Sequence, residues 1–477
     1  MKEPWTDRIR NFVSQISPAG WVALSVTLLG LILRIEHAYT FNGPDRGSDY
    51  AANVSGIRWM LQHMRPFNFA NEVGWSVKYQ PPLWSAVGAL LLKLTNSERA
   101  IAYVAVFGWT IRQWLLARIM KLMAPHRDWS AVVALSINAV LPISILTDGK
   151  VNPENYHSTL FTVAVYFLWR MERQALNSSG VSLVTAALWG LFAGLSMLTK
   201  GTASILVMAG AIVLVWQARR IRLQSSWAMA RRRLLAPAAI AAVVWCVVSG
   251  WWIGPNLVRF HHPFPHSWDT DTAEQEPTLA LPFFYRRPLG WALPFEWKEY
   301  IELPINRDGK RPRPNFWATS VAGTYADWYN RGFCRLEGGP VTTDVWGGWP
   351  VTLRCVGAYV KLLWLGILLS IMAVIAVAHT LRNHLKTSGR EGSLVLPTII
   401  VLGTIFPCLF AIGYPYDNAA VLNPRYLLPI SVPMAACLGI ALAQMRTRSW
   451  KRRLAQAVVL GVIACVAMLV VYERFAT

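Results

Sequence analysis

Acidic side chains are scarce in this sequence: 25 Asp and Glu stand against 46 Lys and Arg, which gives a formal net charge of +21. A charge of this size would suit a nucleic-acid-binding protein, but the sequence contains no RNA- or DNA-binding motif, so we expect no nucleic-acid partner. Charged residues are only 15% of the chain and hydrophobic residues are 54%. The excess of cations therefore indicates short basic loops that face anionic lipid head groups.

Cysteine is also infrequent, with six residues, and no pair has the spacing of a zinc site. Cys334 and Cys355 flank a long polar segment, and they could form a disulfide if that segment lies outside the cytoplasm. The other four fall in apolar segments and are predicted to be small hydrophobic side chains: Cys246, Cys408, Cys437 and Cys465.

The N-terminus is basic but has no obvious small-residue cleavage site, which predicts a retained first span rather than a removed signal peptide. Long apolar runs then recur, as expected for a polytopic membrane protein of the all-α class. The apolar segments are residues 20–39, 81–95, 100–120, 129–147, 156–170, 182–198, 201–217, 234–254, 356–379, 394–414, 425–444 and 454–472.

Segment 81–95 is the exception among these runs, because it opens with Pro81-Pro82 and is short for a hydrocarbon core that needs about 20 residues. If this segment lies in the membrane surface, the basic clusters all fall on the side of the N-terminus, as the positive-inside rule requires. The prediction is therefore about 11 transmembrane helices plus an interfacial helix. The N-terminus is then cytoplasmic and the C-terminus outside.

Lys200 interrupts a run that would be about 54 Å long as one helix, at 1.5 Å per residue. This run, residues 182–217, must therefore form two helices joined by a turn at Thr199-Lys200-Gly201-Thr202. By parity the turn lies on the outer face, on the same side as the segment 255–355. That segment holds eleven basic and eleven acidic residues, so its charge is balanced. We expect it to be an irregular extracytoplasmic insert.

Several other polar groups collect on the predicted outer face. Each has an ordinary structural explanation, such as a helix cap, a turn or an interfacial anchor. Arg425 nevertheless stands against the usual charge bias, which favours an anionic partner there. The candidate residues are Asp45 and Asp49 in the first outer loop, Tyr79 and Gln80 before the interfacial helix, Asp148 and Glu154 in the next loop, Lys200 in the turn, and Arg425 and Tyr426 near the end.

These motifs, in this order, resemble those of the GT-C-fold glycosyltransferases, the superfamily of protein O-mannosyltransferases and the lipid A aminoarabinose transferase. The matching features are Asp49 eleven positions before Met60-Leu61, the stretch QPPLW, either Asp148 or Glu154 as the second-loop acid, the turn Thr199-Lys200-Gly201, and Arg425-Tyr426. Tyr50 departs from the pattern, since an acid is common there. The insert 255–355 departs as well.

The resemblance implies an inverting membrane glycosyltransferase. Such an enzyme moves a sugar from a polyprenyl-phosphate donor to an extracytoplasmic acceptor, which is a lipid, a glycan or a protein. Lys200 and Arg425 would hold the phosphate, and Asp49 would be the general base, with Asp148 or Glu154 orienting sugar or acceptor. A membrane transporter or flippase is the alternative, although no internal repeat between the halves is visible.

No metal ligand is assigned. His261, His262 and His266 with Asp269 lack a regular ligand spacing, so a divalent cation stays open and no cofactor is predicted with certainty. The expected organisation is a GT-C-like transmembrane module with the catalytic outer loops at 1–254, an extracytoplasmic loop domain at 255–355, and C-terminal transmembrane helices at 356–477. The expected location is the bacterial plasma (inner) membrane, with the active site outside the cytoplasm and membrane lipid as a partner.

Overall fold

In this computed structural model, the described residues are 17–40, 48–65, 80–264, 356–387, 392–413, 424–444 and 456–465, with residues 126, 176, 178 and 179 excepted, and a few isolated positions elsewhere. Most of the predicted insert 255–355, including Cys334 and Cys355, lies outside these residues. Asp45, Tyr79, His266 and Asp269 lie outside them too.

The described residues form α-helices and short 3-10 turns, which confirms the all-helical, polytopic class. We number the helices in chain order. They are α1 Pro18–Thr40, α2 Ser48–His63, α3 Leu83–Thr95, α4 Glu98–Met123, α5 Asp128–Val140, α6 Pro142–Asp148, α7 Pro153–Ala175, α8 Leu183–Met197, α9 Ser204–Gln224, α10 Trp227–Phe260, α11 Val356–Lys386, α12 Val395–Gly413, α13 Ser431–Gln444 and α14 Gln456–Cys465.

Length and composition make six of the described helices candidate membrane spans, or seven when the bent pair α5 and α6 counts as one. The bend of 55° falls at Leu141, just before Pro142, where the proline cannot donate the hydrogen bond that would continue α5. The single apolar segment predicted at 129–147 is thus broken into two helices. Helix α10 also runs to Phe260, past the predicted boundary at residue 254.

The turn between α8 and α9 matches the prediction from length. Helix α8 ends at Met197, and Gly201–Ala203 form one 3-10 turn before α9 begins at Ser204. Lys200 itself is extended, with φ −161° and ψ 137°, so the helix is interrupted there. Helices α7 and α10 both pack along α8.

A fully buried ion cluster ties α1, α4 and α6 together. Nε of Arg34 lies 3.0 Å from Asp148, and the guanidinium of Arg112 contacts the other carboxylate oxygen. Ser144 donates a hydrogen bond of 2.6 Å to Asp148, and the Arg34 guanidinium stacks on the ring of Trp109 at 4.1 Å. Because a buried charge is stable only when it is paired, this cluster fixes the second half of the bent span against its neighbours.

Candidate active site

Helix α7 begins at the loop between α6 and α7, and its first turn carries Glu154. The side chain of Asn152 accepts a hydrogen bond of 2.8 Å from the backbone N–H of Glu154, as an N-cap does, and Pro153 needs no partner in this position. Asn155 donates to the carbonyl of Lys150 at 2.9 Å. The local sequence therefore fixes the backbone position of Glu154 in the first turn of α7.

Two cations distant in sequence meet on this carboxylate. Nζ of Lys200 donates to Oε1 of Glu154 at 2.5 Å, and Nε of Arg425 lies 3.1 Å from the same oxygen. The Glu154 side chain is 5% exposed, and those of Lys200 and Arg425 are 21% and 14% exposed. The 3-10 turn Pro424–Ile430, which packs on α7, brings Arg425 to this position.

These three charged side chains are two cations and one carboxylate. Nζ of Lys200 also lies 4.2 Å from the ring centroid of Tyr426, and the Arg425 guanidinium lies 5.8 Å from it. Both cations contact Oε1, whereas Oε2 of Glu154 is buried and has no hydrogen-bond donor among the described residues. This arrangement can receive an anion on the cations and a hydroxyl group on the second carboxylate oxygen.

His157 holds the turn that carries Lys200. Its Nδ1 lies 3.1 Å from the hydroxyl of Ser196, and its Nε2 lies 3.0 Å from the hydroxyl of Thr202. The ring is 1% exposed and lies one helical turn after Glu154 on α7. No local sequence pattern marks His157 or its partners on the turn.

The stretch QPPLW approaches the same turn through the backbone. The N–H of Leu83 donates to the carbonyl of Leu198 at 2.9 Å, two residues before Lys200. Gln80 is half-buried just ahead of this contact. The predicted substrate contacts of Gln80 stay a prediction, as do those of Tyr79 and Asp45, which lie outside the described residues.

Asp49 occupies the first turn of α2 and precedes Asn53 by one helical turn. The amide of Asn53 donates to the carbonyl of Val151 at 3.1 Å, so α2 reaches the loop that leads to Glu154. Tyr50, next to Asp49, donates a short hydrogen bond to Glu98 at the start of α4. Burial, together with this hydrogen bond, raises the pKa of Tyr50 above its ordinary value. The catalytic role of Asp49 stays a prediction.

Asp148 and Glu154 were the two choices for the second-loop acid, and the structure separates them. Asp148 has no exposed surface and lies in the cluster with Arg34 and Arg112. Glu154 is the acid that Lys200 and Arg425 contact. The positions thus differ in what each carboxylate touches, and Glu154 is the one placed beside the predicted phosphate ligands.

Gly201 leaves space for the ring of Phe264, which follows the end of α10, to pack against the turn. A Cβ atom at Gly201 would stand 2.7 Å from the ring of Phe264, closer than side chains approach one another. The residue after Lys200 is therefore held to glycine by an aromatic ring that follows α10 rather than by its own backbone angles.

Metal ligation finds no support in the described part of the chain, where no three His, Cys, Asp or Glu residues are grouped to hold an ion. His261 and His262 are exposed at the end of α10. Cys246, Cys408, Cys437 and Cys465 are free thiols.

Residues 79–246 match the family described as Dolichyl-phosphate-mannose-protein mannosyltransferase. The matched segment contains Glu154, His157 and Lys200, and it confirms the predicted family resemblance over this part of the chain. A comparison with curated proteins gives no match.

Similar solved structures include ArnT from Cupriavidus metallidurans in the apo state, with a TM-score of 0.50 and 13% identity, covering 95% of this chain and 75% of that one. ArnT from the same organism bound to undecaprenyl phosphate gives 0.49 and 14%, with coverages of 93% and 64%. Arabinosyltransferase EmbB from Mycobacterium smegmatis gives 0.43 and 13%, with coverages of 96% and 38%. At such identities the likeness to apo ArnT shows the fold alone, and the chain spans 64% of the ArnT chain that holds undecaprenyl phosphate.

Proposed function

We propose that the protein is an inverting membrane glycosyltransferase that takes its sugar from a polyprenyl-phosphate donor. One observation carries this proposal: Lys200 and Arg425 converge on a single carboxylate at one end of the helix bundle. The family matched by residues 79–246 is named for a lipid-phosphate sugar, which supports the same donor class.

The convergence of two cations favours phosphate binding at this position. Both cations lie against Oε1 of Glu154. A phosphate oxygen offers charge-assisted hydrogen bonds of the same kind, and the guanidinium of Arg425 can hold it at two points. Glu154 would then keep both cations in place and accept a sugar hydroxyl on Oε2.

The reaction requires one base and a stabilised leaving group. The acceptor hydroxyl oxygen attacks the anomeric carbon opposite the phosphate, and the bond from that carbon to the phosphate oxygen breaks. The hydroxyl proton passes to the carboxylate of Asp49, and polyprenyl phosphate leaves with its new negative charge held by Lys200 and Arg425. One displacement inverts the anomeric centre, so no sugar–enzyme bond is needed.

Asp148 is assigned a positioning task in this scheme. Its carboxylate is used by Arg34, Arg112 and Ser144, and it lies at the end of α6, directly before the loop to Glu154. It therefore fixes the span on which that loop depends. Asp148 thereby supports, rather than performs, the transfer.

The membrane arrangement belongs to the same proposal: eleven spans with α3 lying in the outer surface, a cytoplasmic N-terminus, and the active site outside the plasma membrane of a bacterium. Helix α3 has 13 residues, which is about 20 Å and short for a hydrocarbon core of about 30 Å. The modules 1–254 and 356–477 would build the donor site, and 255–355 would select an extracytoplasmic acceptor, which is a lipid, a glycan or a protein.

The test incubates purified protein in proteoliposomes with a panel of polyprenyl-phosphate sugars, where water can replace the acceptor hydroxyl, and scores release of polyprenyl phosphate. We expect one donor to react, and Asp49→Asn to lower the rate by about 100-fold or more because the base is lost. Asp128→Asn is the matched control, since Asp128 is exposed on α5. Donor movement across a bilayer without bond cleavage would instead establish a flippase.

A further inference from the structure

The hairpin that joins α9 to α10 lies at the end of α9 opposite Lys200. Both helices are long and apolar enough to be candidate membrane spans. Helix α9 has 21 residues, about 32 Å at 1.5 Å per residue, which matches a hydrocarbon core of about 30 Å. As spans, the two helices place their connecting turn, Ser225-Ser226, at the membrane surface that faces away from the Lys200 turn.

This hairpin is strongly basic and also exposes apolar side chains. Residues 219–233 contain six arginines and no Asp or Glu. Among them Leu223 is 78% exposed and Trp227 is 48% exposed. Cations beside exposed apolar side chains at the end of an apolar helix are typical of the head-group zone of a bilayer. Four of the arginines are exposed: Arg219, Arg222, Arg231 and Arg232.

Two of these four arginines approach the same aromatic ring. The guanidinium carbon of Arg222 lies 6.0 Å from the ring centroid of Trp227, and that of Arg231 lies 5.8 Å from it. The hydroxyl of Ser226 accepts a hydrogen bond of 3.2 Å from the backbone N–H of Met229, which caps α10 and fixes Trp227 as its first residue. Arg231 follows Trp227 by one helical turn. The indole thus gathers one cation from each helix.

The two cations have no acidic partner in the part of the chain that the structure describes. Neither Arg222 nor Arg231 forms an ion pair with Asp or Glu there. Like charges that share one ring repel each other, and an anion placed between them removes this repulsion. Both side chains are exposed, so an anion can reach them without crossing packed protein.

We propose that Arg222, Trp227 and Arg231 bind the phosphate of one anionic phospholipid, in the leaflet that faces away from the Lys200 turn. Each guanidinium can donate to two phosphate oxygens, and the indole packs against the lipid at head-group depth. A zwitterionic lipid carries its own cation next to the phosphate, which the two arginines repel, so the site selects a lipid of net negative charge. The site differs from general attraction to a basic loop because it requires this ring and these two arginines. It does not rest on the proposed function.

Native mass spectrometry of the full chain purified in detergent tests the proposal, with phosphatidylglycerol and phosphatidylcholine of identical acyl chains as probes. Phosphatidylglycerol should bind more tightly. Arg222→Gln and Arg231→Gln should each weaken its binding about tenfold, the effect of losing one hydrogen bond to a charged group. The controls Arg219→Gln and Arg232→Gln remove the same charge from other exposed positions of the hairpin and should keep the wild-type affinity. Equal losses in all four variants would show attraction to a basic surface only and overturn the site.

The ring is tested by a second pair of variants. Trp227→Leu keeps an apolar side chain but removes the ring, so it should lower the affinity for phosphatidylglycerol. Trp129→Leu, at an exposed tryptophan near the start of α5, should not. All the substituted residues are exposed, so the melting temperature without lipid should stay at the wild-type value. An unchanged affinity in Trp227→Leu, or no preference between the two lipids, would overturn the proposal.

Discussion

Removal of the Lys200 side chain should weaken binding of the donor phosphate. Lys200→Ala removes one charge-assisted contact from the donor, so the KM for polyprenyl-phosphate sugar should rise about tenfold. The measurement is steady-state transfer over a range of donor concentrations. Lys93→Ala is the control, because Lys93 is an exposed lysine on α3 and should leave KM unchanged. An unaltered KM in Lys200→Ala would remove this residue from donor binding.

Glu154 should give the opposite pattern in affinity. In Glu154→Gln the competing carboxylate charge is gone, so polyprenyl phosphate should bind as tightly as before or more tightly. Turnover should nevertheless fall about 100-fold, because Lys200 and Arg425 lose the group that positions them. Equilibrium binding and turnover are measured on the same preparation. A variant that loses donor affinity and keeps its turnover would contradict the assignment.

The sequence predicted where Lys200 lies in the fold but not which distant side chains it meets. Lys200 was predictable because a charge between two apolar runs, together too long for one helix, must lie in a turn. Its convergence with Arg425 on Glu154 joins residues 225 positions apart, and this depends on tertiary packing that no local pattern encodes. The hydrogen bonds of His157 to Ser196 and Thr202 were missed for the same reason.

Helix α6 depends on a buried ion cluster, and this dependence can be measured. Asp148→Asn leaves Arg34 and Arg112 without their carboxylate in a site with no exposed surface. The protein should lose about 3 kcal/mol or more of stability, the usual effect of breaking a buried pair. Thermal unfolding in detergent should show a clear drop in melting temperature. Asp128→Asn, at the exposed start of α5, should unfold as the wild type does.

The break before α6 shows what hydropathy alone misses. The apolar content of residues 129–147 predicted one continuous segment. These residues are helical and apolar, but α5 ends just before Pro142 and the chain bends there by 55°. Interior prolines do not decide the matter on their own, since α10 contains Pro237 and Pro255 and runs on for 34 residues. The outcome depends on whether neighbouring helices stabilise the bend, as the cluster at Asp148 does.

The whole chain should place both ends of α3 outside. In a variant freed of native cysteines, Thr95→Cys at the end of α3 should react with a membrane-impermeant maleimide in intact cells. Ser225→Cys, between α9 and α10, should react only after the membrane is opened, because the basic loop there faces the cytoplasm. Protection of Thr95→Cys in intact cells would mean that α3 crosses, which would invert every later loop.

Phe264 pressing on Gly201 couples two stretches that are far apart in the chain. A methyl group at residue 201 would clash with the Phe264 ring unless the ring moved. Phe264 directly precedes the segment 265–355 in the sequence. Substitutions at Gly201 and at Phe264 should therefore be coupled. A module grafted in at this junction would need to retain a flat ring opposite the glycine.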